Sequence, residues 1–335
     1  YNRLQIQLGV DLSNFNEAGN VFEPEKYWYN ETDDLEANPD IPPLTEITEP
    51  GVYQFNAKKF LEDCAGEPVF VTIVESCIII NPKVFLQGAS LNPNTGEENL
   101  MRDNLRVAGN LPSTTPYEDK ISCDPSVFTV AGTDAIVDWV WVELRDSSNN
   151  TIVVNSRSAL LQRDGDVVDI DGVSSLIYNI PAGNYYISVN HRNHLGVMSL
   201  NAISFNYTPV SVDFSNGSVS TFGNFAQTIA GMPVNILGMW AGDVNGDGVI
   251  QYTGGGILDT PDLLAFILND NSNFLNLPTW VVTSYNNYDV DLSGSTQFAG
   301  AGNLDTPYIL QNILSYPGNF LNLSTWLIEE QLPNN

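Results

Sequence analysis

The sequence predicts a mainly β protein that closes with a small α-helical repeat pair, and three observations predict it. Short runs rich in Val, Ile, Tyr and Trp, cut by Gly, Pro, Asn and Asp, fill the chain to about residue 207 without helical periodicity. Beyond residue 240 a segment returns: Asp243-Val-Asn-Gly-Asp-Gly-Val-Ile-Gln251 reappears as Asp289-Val-Asp-Leu-Ser-Gly-Ser-Thr-Gln297, an offset of 46 residues. The same offset carries Asp259-Thr-Pro onto Asp305-Thr-Pro, Phe274-Leu-Asn-Leu onto Phe320-Leu-Asn-Leu, and Trp280 onto Trp326. A repeat that holds register over this length is one supersecondary unit used twice.

The clearest strand candidates are residues 127–130, 135–144, 151–154, 167–170, 175–180 and 185–189. Residues 135–144 are apolar on both faces, with Val137, Trp139 and Trp141 alternating against Val140, Val142 and Leu144, as in a central strand. Pro181-Ala-Gly-Asn-Tyr185 and Pro50-Gly-Val-Tyr53 are tight turns feeding strands. Many short strands at this spacing predict immunoglobulin-like β-sandwich modules. The expected division is an acidic N-terminal segment with a small β-module over 1–80, a fuller sandwich over 81–207, a connecting strand or linker over 208–240, and the repeat pair over 241–335.

Each repeat opens with oxygen donors at the spacing of a calcium loop. Calcium takes six to eight oxygens, and an EF-type loop supplies them from alternate positions around a glycine at the sixth. In the first copy Asp243, Asn245 and Asp247 hold positions one, three and five, Gly248 falls at six, the carbonyl of Val249 at seven and Gln251 at nine. The acid usual at position twelve is replaced by an insertion, after which Asp259 arrives; Gly254, Gly255 and Gly256 let the loop bulge and return. In the second copy Asp289, Asp291, Ser293, the carbonyl of Ser295, Gln297 and Asp305 form the corresponding set around Gly294. Two calcium ions are therefore predicted. Thr260 and Thr306 are expected to cap the helices that follow, with Pro261 and Pro307 at the first helical position. Leu263, Leu264, Ile267 and Leu268 recur at helical spacing, as do Ile309, Leu310, Ile313 and Leu314. Phe274, Trp280, Phe320 and Trp326 are expected to fill the space between the two helices.

With the loops and helices in view, residues 241–335 resemble the type I dockerin repeat, a paired half EF-hand in which each loop is followed by one helix; the insertion before Asp259 and Asp305 is a departure. The resemblance implies docking onto a separate cohesin-like or envelope partner. Lys83-Val-Phe-Leu-Gln-Gly, Leu100-Met-Arg-Asp, Arg157-Ser-Ala-Leu-Leu-Gln-Arg-Asp-Gly-Asp166 and His191-Arg-Asn-His-Leu-Gly-Val-Met198 are similar to a module of large secreted surface proteins of Bacteroidota-type bacteria. That likeness spans roughly 82–335 and implies export to the cell surface or the medium, with no activity attached.

Twelve Lys and Arg against forty Asp and Glu give a net charge of −28, which argues against nucleic acid or an anionic membrane as partner and fits a calcium-rich extracellular setting. No apolar run is long enough to span a bilayer. Tyr1-Asn-Arg-Leu-Gln-Ile reads as a processed or internal start. Residues 4–10 alternate like a strand, and a free terminal strand can complete a neighbour's sheet, so self-association by strand pairing is one expectation and a cell-surface partner the other. Among the three cysteines, Cys64 and Cys77 flank a strand candidate and allow a local bridge, leaving Cys123. His191 and His194 on one strand would face apart and share no metal. Asp164, Asp166, Asp169 and Asp171 read as a hairpin and its solvent face. Gly-x-Ser-x-Gly, His-Glu-x-x-His and phosphate-loop patterns are all missing, so the chain is read as non-catalytic.

Overall fold

The computed structural model describes residues 28–30, 51–57, 69–73 and 77–333. The chain divides into two compact units, residues 1–78 with 179–182, and residues 79–178 with 183–335. In the first, β1 (Trp28–Asn30), β2 (Gly51–Ala57) and β3 (Val69–Ile73) form an antiparallel sheet in the order β1-β2-β3, with Trp28 opposite Ala57 and Gly51 opposite Ile73. The alternating segment 4–10 and Cys64 lie outside the described residues.

The second unit is also mainly β. It opens with β4 (Ile78–Lys83), the single helical turns α1 (Gln87–Ser90) and α2 (Asn104–Val107), and a 3-10 turn over Pro125–Thr129. That turn stands where residues 127–130 were expected to be extended: Pro125 begins it and the Asp124 carboxylate accepts from the Ser126 amide at 2.8 Å, a helix-type start. Then come β5 (Ile136–Asp146), β6 (Val153–Gln162), β7 (Val167–Val168), β8 (Leu176–Tyr178), β9 (Gly183–His191), β10 (His194–Met198), β11 (Ile203–Phe205) and β12 (Val210–Asp213). One sheet runs β10-β9-β5-β6-β7 with β11 also on β9; a second runs β12-β4-β8, with β12 and β4 parallel.

β5 is central, as its two apolar faces predict, and is buried from Ile136 to Arg145. β6 extends well beyond the expected 151–154. Its Ser156-Arg157-Ser158 stretch has little strand preference, but pairing with β5 carries it, Ser158 bonds Asp119, and Arg157 pairs with Asp169. The acids at 164–171 serve turns and ion pairs of this kind: Asp166 bridges Lys83 at 2.8 Å, and Asp171 accepts from the Val173 and Ser174 amides. Cys123 is a buried free thiol whose pKa burial pushes up.

The C-terminal part supplies β13 (Gln227–Thr228) with β14 (Gly238–Met239), β15 (Val249–Gln251), α3 (Asp259–Leu268), β16 (Val281–Val282), β17 (Thr296–Gln297), α4 (Thr306–Ser315) and β18 (Leu327–Glu329). The two repeats close on each other: β15 pairs with β18 and β16 with β17. Leu263 and Ile267 of α3 and Ile309 and Ile313 of α4 share one core with Ile250, Val282, Val290 and Ile328. Trp240 and Leu195 join that core from outside the repeat.

Three details differ from expectation. Neither threonine caps its helix: Asp259 is the first residue of α3 behind Leu258, Asp305 is the cap residue of α4, and the Thr306 hydroxyl donates to the Phe298 carbonyl. Phe274 and Phe320 do not fill the helix interface; they are 88 % and 86 % exposed, while Trp280 packs on the core and Trp326 is 37 % exposed. His191 and His194 do not face apart. They flank the two-residue turn Arg192-Asn193 between β9 and β10, with their Nδ1 atoms 3.0 Å apart.

That turn covers a buried charge cluster. Asp138 accepts from the Tyr285 hydroxyl at 2.7 Å, lies 3.1 Å from His191 Nε2, and pairs with Arg192 at 3.0 Å. Burial alone would raise the Asp138 pKa, but the Arg192 charge and the bonds from His191 and Tyr285 outweigh it and hold the pKa at about 2. Replacing Asp138 with Ala strands the Arg192 charge in the interior and should cost about 3–5 kcal/mol. Urea unfolding measures it; a loss near zero would show that Asp138 is not the counter-charge.

Candidate metal centre

Both loops turn their carboxylates inward onto their own backbone. In the first, Asp243 Oδ1 accepts from the amides of Gly246 (2.9 Å) and Asp247 (3.1 Å), and Oδ2 from Gly248 (3.1 Å). In the second, Asp289 Oδ1 accepts from Ser293 (2.9 Å) and Oδ2 from Gly294 (2.8 Å). Position four is left-handed in both copies, Gly246 at φ +74° and Leu292 at φ +52°. An L-residue there costs roughly 1–2 kcal/mol, and Leu292 is buried in that state.

The acids after the insertions brace the loops. Asp259 accepts from the Val244 amide at 2.9 Å and the Gln251 amide at 2.7 Å; Asp305 repeats this with Val290 (2.6 Å) and Gln297 (2.8 Å). Each carboxylate thus ties loop position two to position nine. The glutamines at position nine turn to the insertion. Gln297 Nε2 donates to the carbonyls of Ala299 and Ala301, and the Gln251 amide lies against Gly254 and Gly256. A Cβ on Gly254 or on Gly300 would meet that amide nitrogen at 2.9 Å, with both backbones at positive φ, so the insertion needs glycine there.

The two donor sets differ in how far they are assembled. Asp289, Asp291 and Asp305 each place a carboxylate oxygen within 4.8 Å of the others, and all three side chains are buried. Asp291 Oδ1 accepts from the Ser293 amide, whereas its Oδ2 is buried without a hydrogen-bond partner. Ser293 donates its hydroxyl to the Ser295 carbonyl at 3.1 Å. Among the described residues no other such group of three is gathered this closely. In the first loop Asp243 and Asp259 are buried, Asn245 bonds Asp262, and Asp247 lies in solvent with Oδ1 on the Val249 amide. Val249 opens β15 opposite Glu329.

Burial pushes the Asp243 pKa up to about 7, with the Asp247 and Glu330 charges adding to it, and that of Asp259 up to about 8. Burial raises Asp289 and Asp305 as well, reinforced by the neighbouring carboxylates. A cation fits this donor set: oxygen ligands only, more negative charge than the interior tolerates, and one oxygen lacking a donor.

No family model, curated protein or solved structure matches the chain.

Residues outside the repeat hold the second loop in ways its spacing did not reveal. Arg102 Nη2 donates to the Asp291 carbonyl at 2.6 Å, and Asn193 Nδ2 to the carbonyls of Asn287 (2.9 Å) and Asp289 (2.8 Å). Arg192 donates to the Asn286 carbonyl and lies 4.4 Å over the Tyr285 ring. Gln87 and Asn312 join the helix α4 to α1 by reciprocal amide bonds of 2.8 and 2.9 Å. The one sequence signal for these residues is scarcity: in a chain with twelve cationic side chains, a buried arginine marks a place that needs one. The histidines are structural. His194 Nε2 accepts from the Gly88 amide at 3.0 Å, His191 Nε2 lies against Asp138, and burial lowers both pKa values.

The raised carboxylate pKa values set a pH dependence for the metal-free chain. Folded acids that hold protons more tightly than unfolded ones stabilise the fold at low pH, and that stability is lost as pH rises through the folded pKa, here about 7 to 8. The urea midpoint in chelator should fall between pH 5 and pH 9, and a divalent cation that binds these carboxylates should remove the fall. A flat profile in chelator would mean that water reaches these carboxylates.

Proposed function

We propose that the chain is a non-catalytic, calcium-stabilised structural protein of the cell surface or the medium, working as an adhesin segment or as a self-assembling filament subunit. On this reading the paired sheets are an immunoglobulin-like sandwich and residues 241–335 a dockerin-like pair that holds two calcium ions. The observation that carries it is the buried cluster of Asp289, Asp291 and Asp305, in which Asp291 Oδ2 has no hydrogen bond and meets only the Arg102 charge at 3.8 Å. Three interior carboxylates repel one another unless a cation joins them, so ion binding and folding of the repeat pair are linked. Calcium suits an oxygen-only loop with backbone and hydroxyl donors at alternate positions, and the net charge of −28 suits a medium in which that ion is abundant. The described residues include no helix long and apolar enough to cross a membrane.

The Asp243→Ala, Asp289→Ala double variant should lose protease resistance over residues 241–335 in calcium. Digestion and melting equal to the parent would remove the ion from the fold. Light scattering in millimolar calcium should show large assemblies that dissolve on chelation; a monomer under both conditions would contradict self-assembly.

A second reading, a module that docks onto a separate partner, is favoured by two copies of one turn. Asn273 is buried and clamps residues 273–277: its Nδ2 donates to the Ile267 and Leu277 carbonyls, and its Oδ1 accepts from the Leu277 amide. Asn319 repeats all three bonds with Ile313 and Leu323. Each clamp holds an apolar pair in water, Phe274 and Leu275 at 88 % and 77 % exposed, Phe320 and Leu321 at 86 % and 78 %. Serine at these four positions should change stability by no more than about 0.5 kcal/mol per site, since no native packing is lost. If the turns are the contact, the same variant abolishes calcium-dependent association; association at parental strength would exclude them.

A further inference from the structure

The two loops share a sequence pattern but sit in different surroundings. The second is held from outside the repeat at most of its turns: Asn193 grips the Asp289 carbonyl, Arg102 the Asp291 carbonyl, and Asn110 the Gly294 carbonyl at 3.3 Å. Gly88 packs so closely on the Val290 carbonyl that a Cβ there would lie 2.2 Å from it. Among the described residues, the first loop, Asp243 to Asp259, receives no side-chain hydrogen bond from outside residues 241–335; it is held by backbone at its entry, where the Gly242 amide donates to the Asn193 carbonyl at 3.0 Å, and by the Glu330 amide on the Gly248 carbonyl at 2.7 Å.

We propose that Arg102 and Asn193 belong to the second calcium site as positioning residues, so that this loop binds the ion first and more tightly, while the first loop fills at higher calcium and orders on its ion. The inference rests on the calcium reading above and assigns it an order. A loop already fixed in its binding geometry loses less freedom on binding than one that must organise, and the difference appears as affinity. The second site also balances its charge. Three carboxylates and one divalent cation leave one negative charge in the interior, and the Arg102 guanidinium, 3.8 Å from the unpartnered Asp291 oxygen, offsets it. The first loop meets the same demand with Asp247 in solvent, where water screens the charge. The hairpin motif His191-Arg-Asn-His194 thereby gains a role: its buried side chains tie the central sheet to the loop that takes the tighter ion.

Calorimetric titration of calcium into the full chain, stripped by chelator, tests the order. The parent should bind in two phases separated by about ten-fold or more in affinity. Asp291→Asn, a shape-conserving change at the second loop, should remove the tight phase and keep the weak one; Asp247→Asn at the first loop should weaken only the weak phase. Asn193→Ala should lower the affinity of the tight phase by about 10–100-fold, as loss of an outer partner of a metal site does, and leave the weak phase in place as an internal control for folding. Should that variant fail to fold, the parent and the two isosteric variants decide the matter. Two phases of equal affinity, or an Asp247→Asn variant that loses the tight phase, would overturn the proposal while leaving calcium binding intact. No calcium uptake at all would instead remove the reading on which it rests.

Discussion

The C-terminal repeat pair of this chain is organised around carboxylates that are out of water. Residues 241–335 carry ten acidic side chains and no Lys, Arg or His, and Asp259, Asp289, Asp291 and Asp305 are each at most 1 % exposed. Ionised carboxylates at that depth demand either protons or cations. The backbone supplies what it can: amide groups at loop positions two, four to six and nine point at Asp243, Asp259, Asp289 and Asp305. Those amides explain why the loops carry residues at positive φ, and why the acids after the insertions join the two ends of each loop. What the backbone leaves unanswered is charge, and at Asp291 an oxygen with no donor.

The surroundings of that oxygen connect the repeat pair to the rest of its unit. The turn between β9 and β10 descends from the central sheet, and its Arg192 and Asn193 bond four successive features of the second loop's approach, the Tyr285 ring and the carbonyls of Asn286, Asn287 and Asp289. Asp138, in the central strand β5, pairs with Arg192 at 3.0 Å. The first loop has no side-chain tether of this kind; it is held at its entry by the Gly242 amide on the Asn193 carbonyl and along β15 by β18. One sequence unit, used twice, thus gives one loop held by outside side chains along its turns and one held by backbone at its entry and its strand. Exposed Phe-Leu turns follow both helices, each braced by a buried asparagine.

Much of this was legible in the sequence because it is local. The 46-residue offset, the alternate oxygen donors, the glycines at position six and the helical spacing of Leu263, Ile267, Ile309 and Ile313 all report contacts within a few residues. The two apolar faces of β5 announced a central strand for the same reason. What escaped was long-range. Arg102 reaches Asp291 across 189 residues and Asn193 reaches Asp289 across 96, distances at which spacing says nothing. The histidines were misplaced because a two-residue turn reverses the chain between them and undoes the alternation of a continuous strand. Phe274 and Phe320 looked like core because they are large and recur, yet recurrence reflects the repeat and not burial. The threonines looked like caps, but the acids before them face the loops and shift the helix starts.

The most direct test of a cation joining the interior carboxylates is a crystal structure grown in calcium, with anomalous scattering recorded at long wavelength. A peak bounded by Asp289, Asp291 and Asp305, with Asp291 Oδ2 as a ligand and Arg102 still on the Asp291 carbonyl, is the predicted result. A loop without a peak, in which the Arg102 guanidinium has moved onto Asp291 Oδ2, would contradict it and leave the cluster as a buried ion pair.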